Sequence, residues 1–159
     1  MTSASITGGA TAGSNAGMRE YVQFRVGGQS YCIDIQANQE IRGWSTATPL
    51  PHAPEYMKGV VNLRGVVLPI LDLAARLGLP ADDPSARHAI IVVECGRRTV
   101  GLLVEGVSDI IHLEDALRQD APELAGPDLG VIAGVFAVDG DLISLLSIES
   151  IIPEQAAAA

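Results

Sequence analysis

The chain is 159 residues long, 48% hydrophobic, 18% charged and only 4% aromatic, which fits one compact soluble domain or two very small fused ones and excludes a multidomain enzyme. Ten Lys and Arg against 19 Asp and Glu give a net charge of -9, the wrong sign for a phosphate-backbone partner, so nucleic-acid binding is not expected. The longest strongly apolar run, Leu129 to Val138, has ten residues and two glycines. A membrane-spanning helix needs about 20 residues, so no direct membrane insertion is expected.

Met1 to Gly17 contains mainly Gly, Ala, Ser and Thr without periodicity and reads as a flexible tail. Its glycines are not followed by the Gly-Lys-Ser/Thr of a phosphate loop. No basic n-region or apolar h-region marks a secretory signal, which predicts a cytoplasmic location.

From Glu20 the pattern has period two. Val22, Phe24 and Val26 alternate with polar neighbours, Gly27-Gly28 permits the positive φ of a tight turn, and Tyr31, Ile33 and Ile35 alternate on the return, which predicts a β-hairpin. A second such hairpin runs through Ala89 to Glu94, turns at Cys95-Gly96-Arg97 and returns along Thr99 to Val104, about 68 residues later.

The later segments repeat as well. Gly59 to Gly65 leads into Val66 to Leu71, and Gly130 to Val138 leads through Asp139-Gly140 into Leu142 to Leu146. Each ends in a short helical signal, capped by Asp72 in one case and by Ser147 in the other. An imperfect duplication of about 70-residue units follows, each expected to close into a small β-barrel and so remove its exposed strand edges. Pro69 cannot donate to a ladder and is expected at a bulge, a bend or a strand start.

Residues 1 to 99 hold nine basic and eight acidic side chains, and residues 100 to 159 hold Arg118 alone against eleven acids. That asymmetry reads either as ordinary solubility or as a polarised surface that orients partners.

Chemistry is sparse. Cys32 and Cys95 lack CxxC spacing and read as two small buried thiols. His52, His88 and His112 are isolated in sequence, so no metal site is expected. No nucleophile elbow or cysteine-protease signature occurs, and nothing pairs Asp34, Glu40 or Asp72 for acid-base work. No catalytic residue and no cofactor is therefore assigned.

One segment stands out. The Pro-rich Thr48 to Pro54 precedes Glu55 to Gly59, and then Val60-Val-Asn-Leu-Arg64-Gly65 sets an arginine at a sharp turn in an apolar surround. Such an arginine is either a solvated hairpin tip or an interface anchor, whose stem packs while its fork bonds bidentately. Glu40 lies beside Arg42 and near Trp44, the single tryptophan, which reads equally as core or as interface.

The run from Tyr31 to Leu79, with its NQEI, YMKGVVNLRG and VLPILDL segments, resembles the CheW family of bacterial chemotaxis adaptors. The resemblance extends through Val100 to Asp109 and Leu142 to Leu146, about residues 18 to 153 in all. It implies a mainly β fold, two intertwined five-stranded SH3-like barrels with a hydrophobic groove between them, within a domain at 18-155. It also implies a non-enzymatic scaffold that couples the cytoplasmic tip of chemoreceptors to the regulatory domain of the histidine kinase CheA, recruited to the inner face of the membrane through the receptors.

By position, the resemblance carries receptor or kinase contacts to Glu40, Gly59 and Arg64, and places Val107 and Ile110 beside the receptor groove. Asn38, where Val is usual, is the departure most able to alter partner choice, because an amide at an apolar contact must find a hydrogen bond or stay in water. Glu105 and Ser147 each stand where Asp is usual. Two other readings are an adaptor of the same family in a pilus or second-messenger pathway, and a small-molecule-binding β-barrel sensor.

Overall fold

The computed structural model describes residues 17-79, 84-120 and 129-152, so the expected tail lies outside the described residues apart from Gly17. Among the described residues, ten strands and two short α-helices follow one another: β1 (Met18–Val26), β2 (Gln29–Asp34), β3 (Asn38–Gly43), β4 (Met57–Leu63), β5 (Val66–Asp72), α1 (Leu73–Arg76), β6 (Ala89–Cys95), β7 (Arg98–Val104), β8 (Gly106–Glu114), β9 (Ile132–Val138), β10 (Asp141–Leu146) and α2 (Ile148–Ile151).

The hairpin turns follow from residues that tolerate left-handed backbone. Gly27 and Gly28 have φ of 60° and 79°, and Asp139 and Gly140 have 52° and 85°, as a two-residue hairpin loop with positive φ at both positions requires. Asp72 accepts from Ala74 N–H at 3.1 Å to open α1, and Ser147 performs the same service for α2 through Ser150 N–H. Ile35, expected at the end of a strand, instead starts a 3₁₀ turn whose cap is Asp34.

The strands form two five-stranded sheets in the orders β8-β1-β2-β10-β9 and β3-β6-β7-β5-β4. Adding five to each strand number of the β1-to-β5 repeat yields its counterpart in the β6-to-β10 repeat, and this shift converts one order into the other. Neither sheet is built from one repeat, which corrects the expectation that each unit closes its own barrel. The β1-β2 hairpin joins β8 to β10 of the second repeat, and the β6-β7 hairpin joins β3 to β5 of the first. The barrels are therefore intertwined, as the resemblance implies.

The exchange explains the core. Period-two alternation sends Tyr21 and Cys32 into a cluster with Leu113, Phe136, Ile143 and Leu145 inside the first barrel. Ile90, Val92 and Leu103 join Leu63, Leu68 and Ile70 inside the second. The opposite faces of the same hairpins, Val22, Phe24 and Ile33 with Ile91, Val93, Val100 and Leu102, make a third and largest cluster shared by the barrels. Tyr21, which the alternation groups with polar Gln23 and Arg25, is thus only 1% exposed and packs on Phe136, ring centroids 5.3 Å apart.

Each sheet is closed at its open edge by an isolated bridge. Thr48 exchanges two backbone hydrogen bonds with Val60 on β4 (2.8 and 2.9 Å), and Gln119 does so with Val135 on β9 (2.9 and 2.8 Å). A glycine precedes the bridged residue in both: a Cβ on Gly59 would lie 2.2 Å from the Thr48 carbonyl oxygen, and one on Gly134 would lie 2.5 Å from Cγ of Arg118. Pro69 is inside β5 rather than at its start. Val60, its cross-strand neighbour, turns its polar groups to Thr48, so the Pro69 nitrogen faces the β7 side, where pairing begins only at Ile70.

Two arginines of the second barrel seal the junction. Arg76 donates to the carbonyls of Ile151 (3.1 Å) and Ser150 (2.9 Å), and Arg98 donates to that of Ile152 (3.1 Å). The last carbonyls of α2 thereby gain partners, while Ile151 and Ile152 fill the shared core. Arg76 also lies over the Tyr56 ring, 5.3 Å from its centroid.

Arg76→Ala is expected to lower unfolding free energy in urea by about 1.5–3 kcal/mol, the range for charge-assisted hydrogen bonds; an unchanged midpoint would remove the seal. Gly59→Ala should cost at least about 2 kcal/mol through backbone displacement. Gly43→Ala, whose methyl would meet nothing within 4 Å, is the control and should stay near wild type.

Candidate functional site

Arg64 and Gly65 form the two-residue turn between β4 and β5, with φ of 53° and 86° and Leu63 opposite Val66. Left-handed backbone costs a non-glycine residue about 1–2 kcal/mol, so the arginine is held there by its surroundings. Asn62 supplies one hold: its Oδ1 accepts the Gly65 N–H at 2.7 Å and closes the turn from inside. The result is a tip on which Arg64, Val66 and Val67 are all about two-thirds exposed.

Glu40 on β3 provides the second hold. Its Oε1 accepts from Arg64 Nη2 at 2.5 Å and its Oε2 from Arg42 Nη1 at 3.2 Å. β3 and β4 are the two outer strands of their sheet, so the Glu40–Arg64 bond crosses the seam that the Thr48–Val60 bridge also closes. The hydrogen bond from Arg64, with that from Arg42, pulls the Glu40 carboxyl below its ordinary value, and the Glu40 carboxylate raises the Arg64 guanidinium in turn.

The remaining expected residues fall in different places. Gly59 is buried under the Thr48-Pro49 backbone and shapes the loop at 48-54 from beneath. Asn38 opens β3 beside a bulge opposite Val92 and Val93, and its Oδ1 is buried without a hydrogen-bond partner. Val107 and Ile110 are on β8 of the other sheet, Val107 packed on the shared core and Ile110 45% exposed. The structure thus joins Glu40 to Arg64 and leaves Val107 and Ile110 on the other barrel. A cleft of about 590 Å³ between the barrels has charged walls, including Arg19, Asp34, Glu94 and Arg118, and neither Val107 nor Ile110 lines it.

Other residues acquire local roles. Trp44 packs half-buried on the second barrel's core. Glu105 accepts from Gly27 N–H at 2.9 Å and Gly28 N–H at 3.3 Å, so its longer side chain pins the β1-β2 turn. Cys32 is fully buried, and burial pushes its thiol up to about 12, whereas Cys95 is half-buried beside Arg98. Seven of the ten basic side chains belong to the barrel that carries Arg64, while every described acid after residue 100 belongs to the other. Charge is therefore polarised between barrels, not only between halves of the sequence.

Sequence reasoning passed over Asn62, for which an Asn three residues before Gly65 was the available signal, whereas the i, i+2 spacing of Glu40 and Arg42 reads as a solvated charge pair, and the two side chains do pair on the exposed strand.

Because the folded Glu40 carboxyl lies below its ordinary 4.5, its ion pairs stabilise the fold above that value and are lost as pH falls through the lower folded value. A side-chain NMR titration should find Glu40 below an ordinary glutamate and moved back up in Arg64→Ala. A Glu40 that titrates identically in both proteins would show that the pair does not persist in solution.

Residues 20–156 match the CheW-like domain family model. The chain is 49% identical over 140 residues to the chemotaxis protein CheW of Rhizobium meliloti, covering 87% of this chain and 90% of the relative. It is 48% identical over 141 residues to a probable chemotaxis protein CheW of Rhizobium etli, covering 88% and 91%. The crystal structure of the scaffolding protein TtCheW from Thermoanaerobacter tengcongensis superimposes with a TM-score of 0.80 at 25% identity, over 87% of this chain and 90% of that one. With sequence, fold and strand exchange in agreement, the chain belongs to the CheW-like family of chemotaxis scaffold proteins.

Proposed function

We propose that this chain is a non-enzymatic adaptor that couples the cytoplasmic tip of chemoreceptors to the regulatory domain of the histidine kinase CheA. It works in the cytoplasm and is held at the inner face of the membrane by the receptors it binds. The observation that carries the reading is the Arg64 tip within a chain of this family: a guanidinium kept at a left-handed turn, ion-paired yet about two-thirds exposed, next to the exposed Val66 and Val67.

An arginine set this way suits a protein interface. Its stem offers packing surface, its fork can bond a carboxylate bidentately, and the turn fixes its position before a partner arrives, which lowers the ordering penalty of association. On β8, Ile110 offers an apolar contact for a receptor helix, and Val107 on the same strand packs against the shared core. The receptor helix packs apolar side chains on the exposed Ile110 of β8 while Arg64, on the other barrel, sets its register; the cleft between the barrels, with its charged walls, is not the hydrophobic groove that the resemblance implies. Asn38 and Gly59 complete the surface, Gly59 through the loop that it lets pack. No described helix is long and apolar enough to cross a membrane.

The test is reconstituted kinase autophosphorylation with receptor, kinase and this protein present, absent or carrying Arg64→Ala. Receptor-dependent control should require the chain and fall with the variant, whose affinity should drop by more than about 1 kcal/mol, the usual threshold for an anchor. Kinase control that is the same with and without the chain would reject the coupling role. Full control with Arg64→Ala would move the contact elsewhere.

A further inference from the structure

Glu40 commits each carboxylate oxygen to a different arginine, Oε1 to Arg64 across the seam and Oε2 to Arg42 two residues along the same strand. The arginines differ in freedom. Arg42 shares its strand face with Glu40 by the period of two, so their pairing needs no long-range fit. Arg64 reaches in from the tip of the β4-β5 hairpin and is the most exposed of the three, at 68%. The cluster carries one more positive charge than negative, which suits an acidic group.

We propose that Arg42 is a positioning residue that lets Arg64 receive a carboxylate of the partner. This rests on the reading of Arg64 as a partner contact. A partner carboxylate that approaches Arg64 also meets Glu40, and two carboxylates on one guanidinium repel unless a further cation compensates them. Arg42 is that cation. It occupies one oxygen of Glu40, prevents Glu40 from taking Arg64 with both, and keeps Glu40 neutralised when Arg64 turns outward. The guanidinium's five donors then allow Arg64 to keep one bond to Glu40 while it offers its remaining edge.

The loss on removing Arg42 depends on the charge of Glu40, so a double-mutant cycle has a definite sign. Without Arg42, Glu40 competes for Arg64 and repels the partner; without the charge on Glu40, Arg42 has nothing to compensate. Affinities of the full chain for a chemoreceptor cytoplasmic fragment and for the CheA regulatory domain should be measured by calorimetry for Arg42→Gln, Glu40→Gln, the double variant, Arg42→Lys and Arg64→Ala.

Arg42→Gln should weaken one partner about two- to fivefold, the span of an exposed ion-pair coupling. The same change in the Glu40→Gln background should do nothing, Arg42→Lys should restore affinity, and the urea midpoint should not move. Equal loss in both backgrounds would mean that Arg42 touches the partner itself, and no loss in either would remove its role. If Arg64→Ala leaves both affinities intact, the contact reading fails and this proposal falls with it; if Arg64→Ala weakens binding and the cycle is additive, only the proposal on Arg42 fails.

Discussion

Both edges and both faces of the β1-β2 hairpin are occupied, and so are those of its counterpart β6-β7. At the edges, β8 and β10 flank the first hairpin and β3 and β5 flank the second. On the faces, Tyr21 and Cys32 enter one barrel while Val22, Phe24 and Ile33 enter the cluster between barrels. A hairpin used in this way cannot be withdrawn without exposing two apolar surfaces and two rows of unpaired backbone groups at once. Everything else in the molecule is arranged around that condition: the three-part core, the near-equivalence of the sheets and the clamp of Arg76 and Arg98 on the end of α2.

The same closure that completes the second barrel also holds its Arg64 tip. Glu40 and Arg64 come from opposite outer strands, so their bond reports that the sheet has curled, and Gly59 permits the neighbouring Thr48–Val60 bridge. The related tip of the first barrel repeats the geometry at Asp139-Gly140 but with the opposite charge. One backbone design thus supports tips of different character, and the chemistry resides in the residue at the left-handed position.

Several parts of this were legible from residues alone. Gly27-Gly28 and Asp139-Gly140 announced their turns because few residues accept positive φ, and Asp72 and Ser147 announced the helices by their capping hydroxyl or carboxylate. Exchange of hairpins was not legible from alternation, because a period of two says which side chains share a face and not which strand lies alongside. Only the family resemblance supplied it. Tyr21 was misgrouped because alternation treats a two-sided strand as one-sided. The roles of Glu105, Arg76 and Arg98 consist of bonds to backbone groups far away in sequence, and a backbone carbonyl such as that of Ile151 has no sequence signature. Arg64 was visible as an oddity in an apolar segment and Glu40 as the neighbour of Arg42, but their pairing across 24 residues was not.

Strand exchange also governs how the chain comes into being. During synthesis β1 leaves the ribosome long before its neighbour, since Met18 pairs with Glu114 and Ser30 with Ile143. Until then the first hairpin is a ribbon with two apolar faces and unsatisfied edges, and the high sequence separation of its contacts makes completion slow. The first barrel is written in the two ends of the message, β1-β2 and β8 to β10, whereas all five strands of the second, β3 to β7, lie in one contiguous stretch, 38–104. The barrel that carries Arg64 therefore has all its strands once β7 has emerged, while the first hairpin must wait for β8 to β10 before its edges and faces are covered.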